Sequence, residues 1–214
     1  MNTLPSVNPF LFLRQFNLAM IKDINQLDFT KTYSYADYLT WKFQDRVELI
    51  KGWIHKMSPA PMRQHQEISM NIAGQIFAYL KNKPCKVYTA PFDVRLINKQ
   101  KRAANKNIFS VVQPDITVVC DLSKLDEKGC IGAPDWVIEI LSPGSSKIEV
   151  KDKYQLYEEN GVREYWIVSP EYYYVTVYDL VYDAFKLRDT YFEGDEIPVG
   201  IFEGFSVDAK QLFE

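Results

Sequence analysis

Two carboxylates stand where apolar residues are expected. The segment Val111-Val112-Gln113-Pro114-Asp115-Ile116-Thr117-Val118-Val119 carries Asp115, and Ala133-Pro134-Asp135-Trp136-Val137-Ile138-Glu139-Ile140-Leu141 carries Glu139. Both runs are rich in β-branched residues and bounded by turn formers, the signature of buried strands. A lone buried carboxylate is costly unless it is paired, hydrogen-bonded or bound to metal. Two of them on neighbouring strands suit a divalent cation. Mg²⁺, with Mn²⁺ as a substitute, is held by carboxylates and a backbone carbonyl, here that of Ile140, while leaving positions for water and phosphate. A cation held so activates a water and neutralises charge growing on a phosphodiester. Such a site also wants a positive side chain near the nucleophile, and Lys153, in the helix after Glu139, can supply it.

Three further candidates surround this set. Glu48 lies between Val47 and Leu49 as a third acid, although a cross-strand partner such as Lys56 explains it equally well. His65 opens a helix and can act as base or phosphate contact, or simply pack. Asp93 falls on an alternating strand and can orient a metal-held water or pair near Arg95. Asp115 itself has a plainer explanation as a turn cap or the partner of a buried Arg, and Lys153 as a solvated helix lysine. Glu149 and Asp152 suit the start of a helix through its dipole.

Periodicity supplies the elements that must position these groups. Side chains alternate along a strand, so Asp115 shares a face with Thr117, and Glu139 with Asp135, Val137 and Leu141. Strands are predicted over 86–97, 111–120, 135–141 and 164–168. Ser34 caps a short helix, and residues 46–57 form an N-terminal hairpin about Lys51-Gly52. Ile68, Ile72, Ile76 and Leu80 recur every four residues and predict a helix over 65–81. A second helix is predicted over 149–159, with Val150, Tyr154 and Tyr157 as its apolar stripe and Gly161 as its left-handed cap. A C-terminal hairpin turns near 179–183. Helix, three strands, helix and strand in that order suit a mixed β-sheet flanked by helices, an α/β (α+β) fold.

The chain has 214 residues, 47% of them hydrophobic, enough for one domain; residues 1–32 read as an N-terminal extension and 33–214 as the domain. No apolar run approaches the ~18 residues of a membrane span, and no signal peptide is evident, so a cytoplasmic protein is expected. Cys85, Cys120 and Cys130 are odd in number and not spaced as zinc ligands, which predicts free thiols in a reducing compartment. A net charge of −3 argues against a protein that coats DNA but not against a nuclease, because a metal ion supplies positive charge locally. Lys99, Lys101, Arg102 and Lys106 form the one basic cluster, a weak nucleic-acid contact or a solvated loop.

Gln113-Pro114-Asp115 followed by Val137-Ile138-Glu139-Ile140-Leu141-Ser142-Pro143 resembles the PD-(D/E)XK nuclease superfamily, and more narrowly the Uma-type restriction endonuclease family, long catalogued as a domain of unknown function. The likeness runs from about residue 33 to 213. It includes Val47-Glu48-Leu49-Ile50-Lys51-Gly52, Met57-Ser58-Pro59, His65-Gln66, Ala90-Pro91-Phe92-Asp93-Val94-Arg95-Leu96, Lys153-Tyr154-Gln155-Leu156-Tyr157 and Gly161-Val162-Arg163-Glu164-Tyr165-Trp166-Ile167-Val168. The resemblance implies a restriction-endonuclease-like core in which Asp115 and Glu139 ligate the metal. It departs from the superfamily at one point: the lysine expected two residues after the acid is Leu141, and Lys153 then looks like a migrated equivalent.

The resulting expectation is a cytoplasmic, Mg²⁺-dependent endonuclease that hydrolyses DNA phosphodiester bonds through a metal-activated water. It needs no small-molecule cofactor, and a homodimer is expected because nucleases that cut both strands often pair two sites. A noncatalytic DNA-binding or assembly module is the alternative, and a glycoside hydrolase using Asp115 and Glu139 as acid and base is a weaker one.

Overall fold

A computed structural model of the chain describes residues 20–57, 62–98, 103–143 and 146–214. In chain order the elements are α1 Tyr35–Tyr38, β1 Val47–Ile50, β2 Trp53–Lys56, α2 Arg63–Leu80, β3 Lys86–Thr89, β4 Val94–Leu96, β5 Ser110–Val112, β6 Ile116–Val119 and β7 Leu125–Asp126. There follow β8 Gly129–Ile131, β9 Trp136–Ile140, α3 Lys147–Asn160, β10 Glu164–Ser169, β11 Tyr174–Val181, β12 Ala184–Phe192, β13 Glu196–Pro198, β14 Ser206–Asp208 and α4 Ala209–Phe213. The result is a mixed α+β architecture with two six-stranded sheets, β12-β11-β10-β9-β6-β3 and β2-β1-β5-β4-β8-β7.

The first sheet is the centre of the molecule. Strands β9 and β10 run parallel and are joined by α3, while β6 lies antiparallel on the other side of β9. Both central strands are buried along their whole length, so they read as nearly continuous apolar runs. Alternation still sorts them. Trp136, Ile138, Ile140, Trp166 and Val168 join the core under α2, together with Ile68, Ile72, Ile76 and Leu80 of that helix. Each such side chain contributes about 1.5–3 kcal/mol when fully buried. Val137, Tyr165 and Ile167 face the other way, onto Leu156 and Tyr157 of α3. Glu139 therefore falls on the α3 side by strand parity alone.

The two predicted strands 86–97 and 111–120 are each two strands. β3 and β6 pair with one another in the first sheet, and β4 and β5 pair in the second. The breaks lie at Ala90-Pro91 and Gln113-Pro114, where proline has no N–H to give a ladder. At this corner Ala90 donates its N–H to the Asp115 carbonyl at 3.0 Å. Asp115 thus stands in the connection between the sheets, not inside a strand.

The remaining elements match their local signals. Lys51 and Gly52 both have positive φ, 52° and 86°, as the two-residue turn of the β1–β2 hairpin requires. Ser146 caps α3 through the Glu149 N–H, and Gly161 ends it at φ 88°. The β11–β12 hairpin turns at Tyr182 and Asp183. From the segment expected as an extension, Ile24 and Leu27 are buried against Tyr35, Trp41 and Leu49.

The free-thiol expectation is corrected for two cysteines. The β3–β6 register, Lys86 opposite Val119, sets Cys85 opposite Cys120, and the two form a disulfide. Cys130 is a buried free cysteine. The disulfide removes the support that free thiols lent to a cytoplasmic location. Among the described residues no helix is long and apolar enough to cross a membrane.

Candidate active site

The corner between the sheets gathers the charged residues. Ile138 of β9 lies opposite Ile116 of antiparallel β6, so one step past that pair the residue after Ile138, Glu139, comes beside the residue before Ile116, Asp115. The Ile140 N–H fixes this arrangement by donating to Asp115 Oδ2 at 2.7 Å. From α2, His65 Nε2 lies 3.3 Å from the same oxygen. Burial opposes charging of that imidazole, but the hydrogen bond and charge of Asp115 outweigh it and raise the His65 pKa; the Ile140 carbonyl adds to the effect.

Helix α3 brings the cation. Lys153 is 7% exposed, and its Nζ lies 3.2 Å from Glu139 Oε1 and 3.0 Å from Glu48 Oε2. One turn later Tyr157 donates its hydroxyl to Glu139 Oε1 at 2.6 Å. Glu149, Lys153 and Tyr157 are spaced by four residues and so share a helix face. The buried face of α3 is Lys153, Leu156, Tyr157 and Asn160, with Val150 and Tyr154 half-buried beside it. That differs from the predicted Val150, Tyr154 and Tyr157 stripe because the helix turns a lysine toward two acids.

Burial pushes the Glu139 carboxyl up from its ordinary 4.5 to about 7, against the pull of Lys153. Burial also works against the Lys153 ammonium, yet Glu139 and Glu48 hold its pKa well above the usual lysine range. Tyr157 is driven well above the usual phenol range, first by burial and then by the Glu139 charge.

Glu48 is 1% exposed and is not paired with Lys56. The β1–β2 register sets His55 opposite Glu48 and Lys56 opposite Val47, and Lys56 Nζ lies over the Phe29 ring instead. Glu48 also accepts the Gln113 N–H at 2.8 Å, which ties β1 to the Gln-Pro-Asp corner. Gln113 continues outward: its amide nitrogen donates to Asp93 Oδ1, and its amide oxygen accepts from Arg46 Nη2, both at 2.9 Å. Asp93 does not line the cleft and, among the described residues, is hydrogen-bonded to it through this glutamine. Its pKa is raised, chiefly by burial.

Asp115, Glu139, Ile140, His65 and Lys153 line one cleft of about 180 Å³, together with Arg46, Lys56, Gln113 and Glu149. Arg46, Gln113 and Tyr157 join the site without a sequence signal that marks them for it. Lys106 is exposed in a short 3₁₀ turn and does not line the cleft, while Lys99, Lys101 and Arg102 lie outside the described residues.

The donor set suits a small, hydrated cation. Among the described residues no three His, Cys, Asp or Glu are grouped to hold a metal. Mg²⁺ needs no such cage, since it keeps several waters and takes one or two carboxylates. Hydrogen bonds engage Asp115 Oδ2 and Glu139 Oε1, which leaves the other oxygen of each acid without one among the described residues.

A solved structure with this architecture is that of a protein from Anabaena variabilis described as "a putative nuclease belonging to DUF820". It superposes with a TM-score of 0.65 over 85% of this chain and 97% of that one, at 22% identity. The shared fold is restriction-endonuclease-like. Residues 35–210 match the model of the Uma2 family, described as "Putative restriction endonuclease", and the chain belongs to that family. An uncharacterized protein of Synechocystis sp. is 25% identical over 136 residues, and the match spans 62% of this chain and 66% of that protein.

Proposed function

We propose that this protein is a Mg²⁺-dependent endonuclease that hydrolyses DNA phosphodiester bonds, with Asp115 and Glu139 holding the cation and the Ile140 carbonyl available beside them. The observation that carries the reading is the convergence of Lys153 on Glu139 and Glu48. A lysine 14 positions after Glu139 in sequence returns to within 3.2 Å of it, where Leu141 offers no charge. Bound Mg²⁺, or Mn²⁺ in its place, supplies a Lewis acid that activates a water and offsets charge on the phosphate.

The side chains do the rest. Lys153 keeps its proton at neutral pH and sets a fixed positive charge beside the nucleophile's position, and such preorganised charge needs no rearrangement as the reaction proceeds. Glu48 anchors that ammonium from behind. Tyr157 orients the Glu139 carboxylate and favours its ionised form by donating to it. Ile140 holds Asp115 at a fixed angle. Arg46 lines the cleft and carries a guanidinium suited to a phosphate oxygen. The working form in this reading is a homodimer, a state that light scattering measures directly.

The test is calorimetric titration of Mg²⁺ and Mn²⁺ into wild type and Asp115→Asn, with plasmid nicking on the same samples. Binding and nicking lost together in the variant support the reading. A wild type that binds DNA without metal, and equally well after Asp115→Asn, is instead a noncatalytic DNA-binding module.

A further inference from the structure

A second cavity opens directly beside the cleft. It measures about 820 Å³ and has His65 and Ser142 in its wall, both of which also line the cleft. The wall is continuous along one strand exit: Glu139 and Ile140 face the cleft, and Leu141, Ser142 and Pro143 face the cavity. At about 3.3 Å per residue, these positions are a few ångströms apart along the chain. The cavity lies beyond the carboxyl ends of the parallel strands β9 and β10, where open α/β sheets take their ligands.

Its chemistry differs from that of the cleft. Tyr172 and Tyr174 supply two rings inclined by only 18°, with centroids 6.4 Å apart. Leu141, Pro143, Val150 and Pro170 add apolar wall, and Gln64 and Ser169 add hydrogen-bonding groups. Lys147 and Glu171 bring one charge of each sign, so the cavity carries no excess of positive charge for a phosphate. Flat π faces, apolar sides and a few amide and hydroxyl groups match a nucleobase, which stacks on aromatic rings whatever its identity. A cavity of this size takes a small ligand. A paired base inside a duplex cannot enter it without being extruded.

Resting on the nuclease reading of the neighbouring cleft, we propose that this cavity holds an unpaired base adjacent to the scissile phosphate. The preferred substrate is then a single strand, or a junction with an unpaired strand, and not an intact duplex.

The experiment uses a single-stranded oligonucleotide carrying 2-aminopurine, and the same sequence as a duplex, titrated into the full chain in Ca²⁺ buffer. Tyr172 is 65% exposed, so Tyr172→Ala leaves the fold in place, and Tyr172→Phe keeps the ring. The single strand is expected to bind at least tenfold more tightly than the duplex and to quench on binding. Tyr172→Ala loses the quench and roughly tenfold in affinity, Tyr172→Phe keeps both, and Mg²⁺ titrations of the three proteins coincide. Equal affinity for both forms, or a Tyr172→Ala protein that still quenches, overturns the base pocket and leaves the nuclease reading standing. A wild type that binds neither form overturns both.

Discussion

The backbone N–H of Ile140 donates to the Oδ2 of Asp115 at 2.7 Å, so the residue after one acid holds the other. The separation of the two carboxylates is thereby set by strand register and not by side-chain rotamers. Among the described residues only one oxygen of Asp115 is hydrogen-bonded, which leaves the second for a cation. In Asp115→Asn the amide oxygen still accepts the Ile140 N–H, so this variant tests charge with the geometry retained.

Lys153→Met removes the cation shared by Glu48 and Glu139. Breaking a buried pair from one side costs about 3–5 kcal/mol, because the remaining charge is left uncompensated. Urea denaturation of the metal-free protein should show that loss, and adding Glu48→Gln should return part of it. Nicking should fall by roughly 100-fold or more in both variants, since the fixed positive charge is gone from each. Recovery of nicking in the double variant would show that Lys153 only balances charge.

The pH dependence follows from Glu139, raised by burial from 4.5 to about 7. Between these values the unfolded chain gives up a proton that the folded protein keeps. The unfolded state binds fewer protons there, so stability falls as pH rises from 4.5 to 7 and is level with respect to this group above 7. Mg²⁺ needs the ionised form, so its affinity should climb over the same window and flatten near 7. Thermal melts and calorimetry across pH 4–8 measure both, and Glu139→Gln should remove this group's share of the slope.

Tyr157→Phe deletes the hydroxyl that donates to Glu139 Oε1. A hydrogen bond to the ionised carboxylate favours that form, so its loss should shift the rise in Mg²⁺ affinity to higher pH. The stability cost should be about 1 kcal/mol, and the folded protein should show wild-type secondary structure by circular dichroism. An unshifted titration would make the tyrosine a packing residue.

Thiol titration in denaturant without reductant should find one reactive group, Cys130, and three after reduction. The Cys85–Cys120 link spans a sequence separation of 35. Closing a loop of that length is worth about 3–4 kcal/mol in the chain-entropy description, so the reduced protein should unfold at lower urea. Three reactive thiols before reduction would refute the link.

Much of this fold is legible locally. The four-residue spacing of Ile68, Ile72, Ile76 and Leu80 fixes α2, and a charged residue inside Trp136-Val137-Ile138-Glu139-Ile140 stands out because everything around it is apolar. Parity then places Glu139 on the α3 side. The sheet switch is harder to read, because residues 86–97 and 111–120 each keep strand-like composition straight through a proline. Pro91 and Pro114 are the signals, since neither can donate to a ladder. The Cys85–Cys120 pairing needs the β3–β6 register, a contact between distant segments that no local period announces. Arg46 and Gln113 belong to the site only because β1 pairs with β5, a contact between segments more than 60 residues apart that leaves no local period.

The sheet corner also makes the acids depend on the whole chain path. Glu48 comes from one sheet, Glu139 from the other, and Asp115 from the chain that passes between them. The strands of the two sheets alternate along the sequence, so no contiguous fragment carries one sheet alone, and a break anywhere between residues 48 and 139 parts the acids.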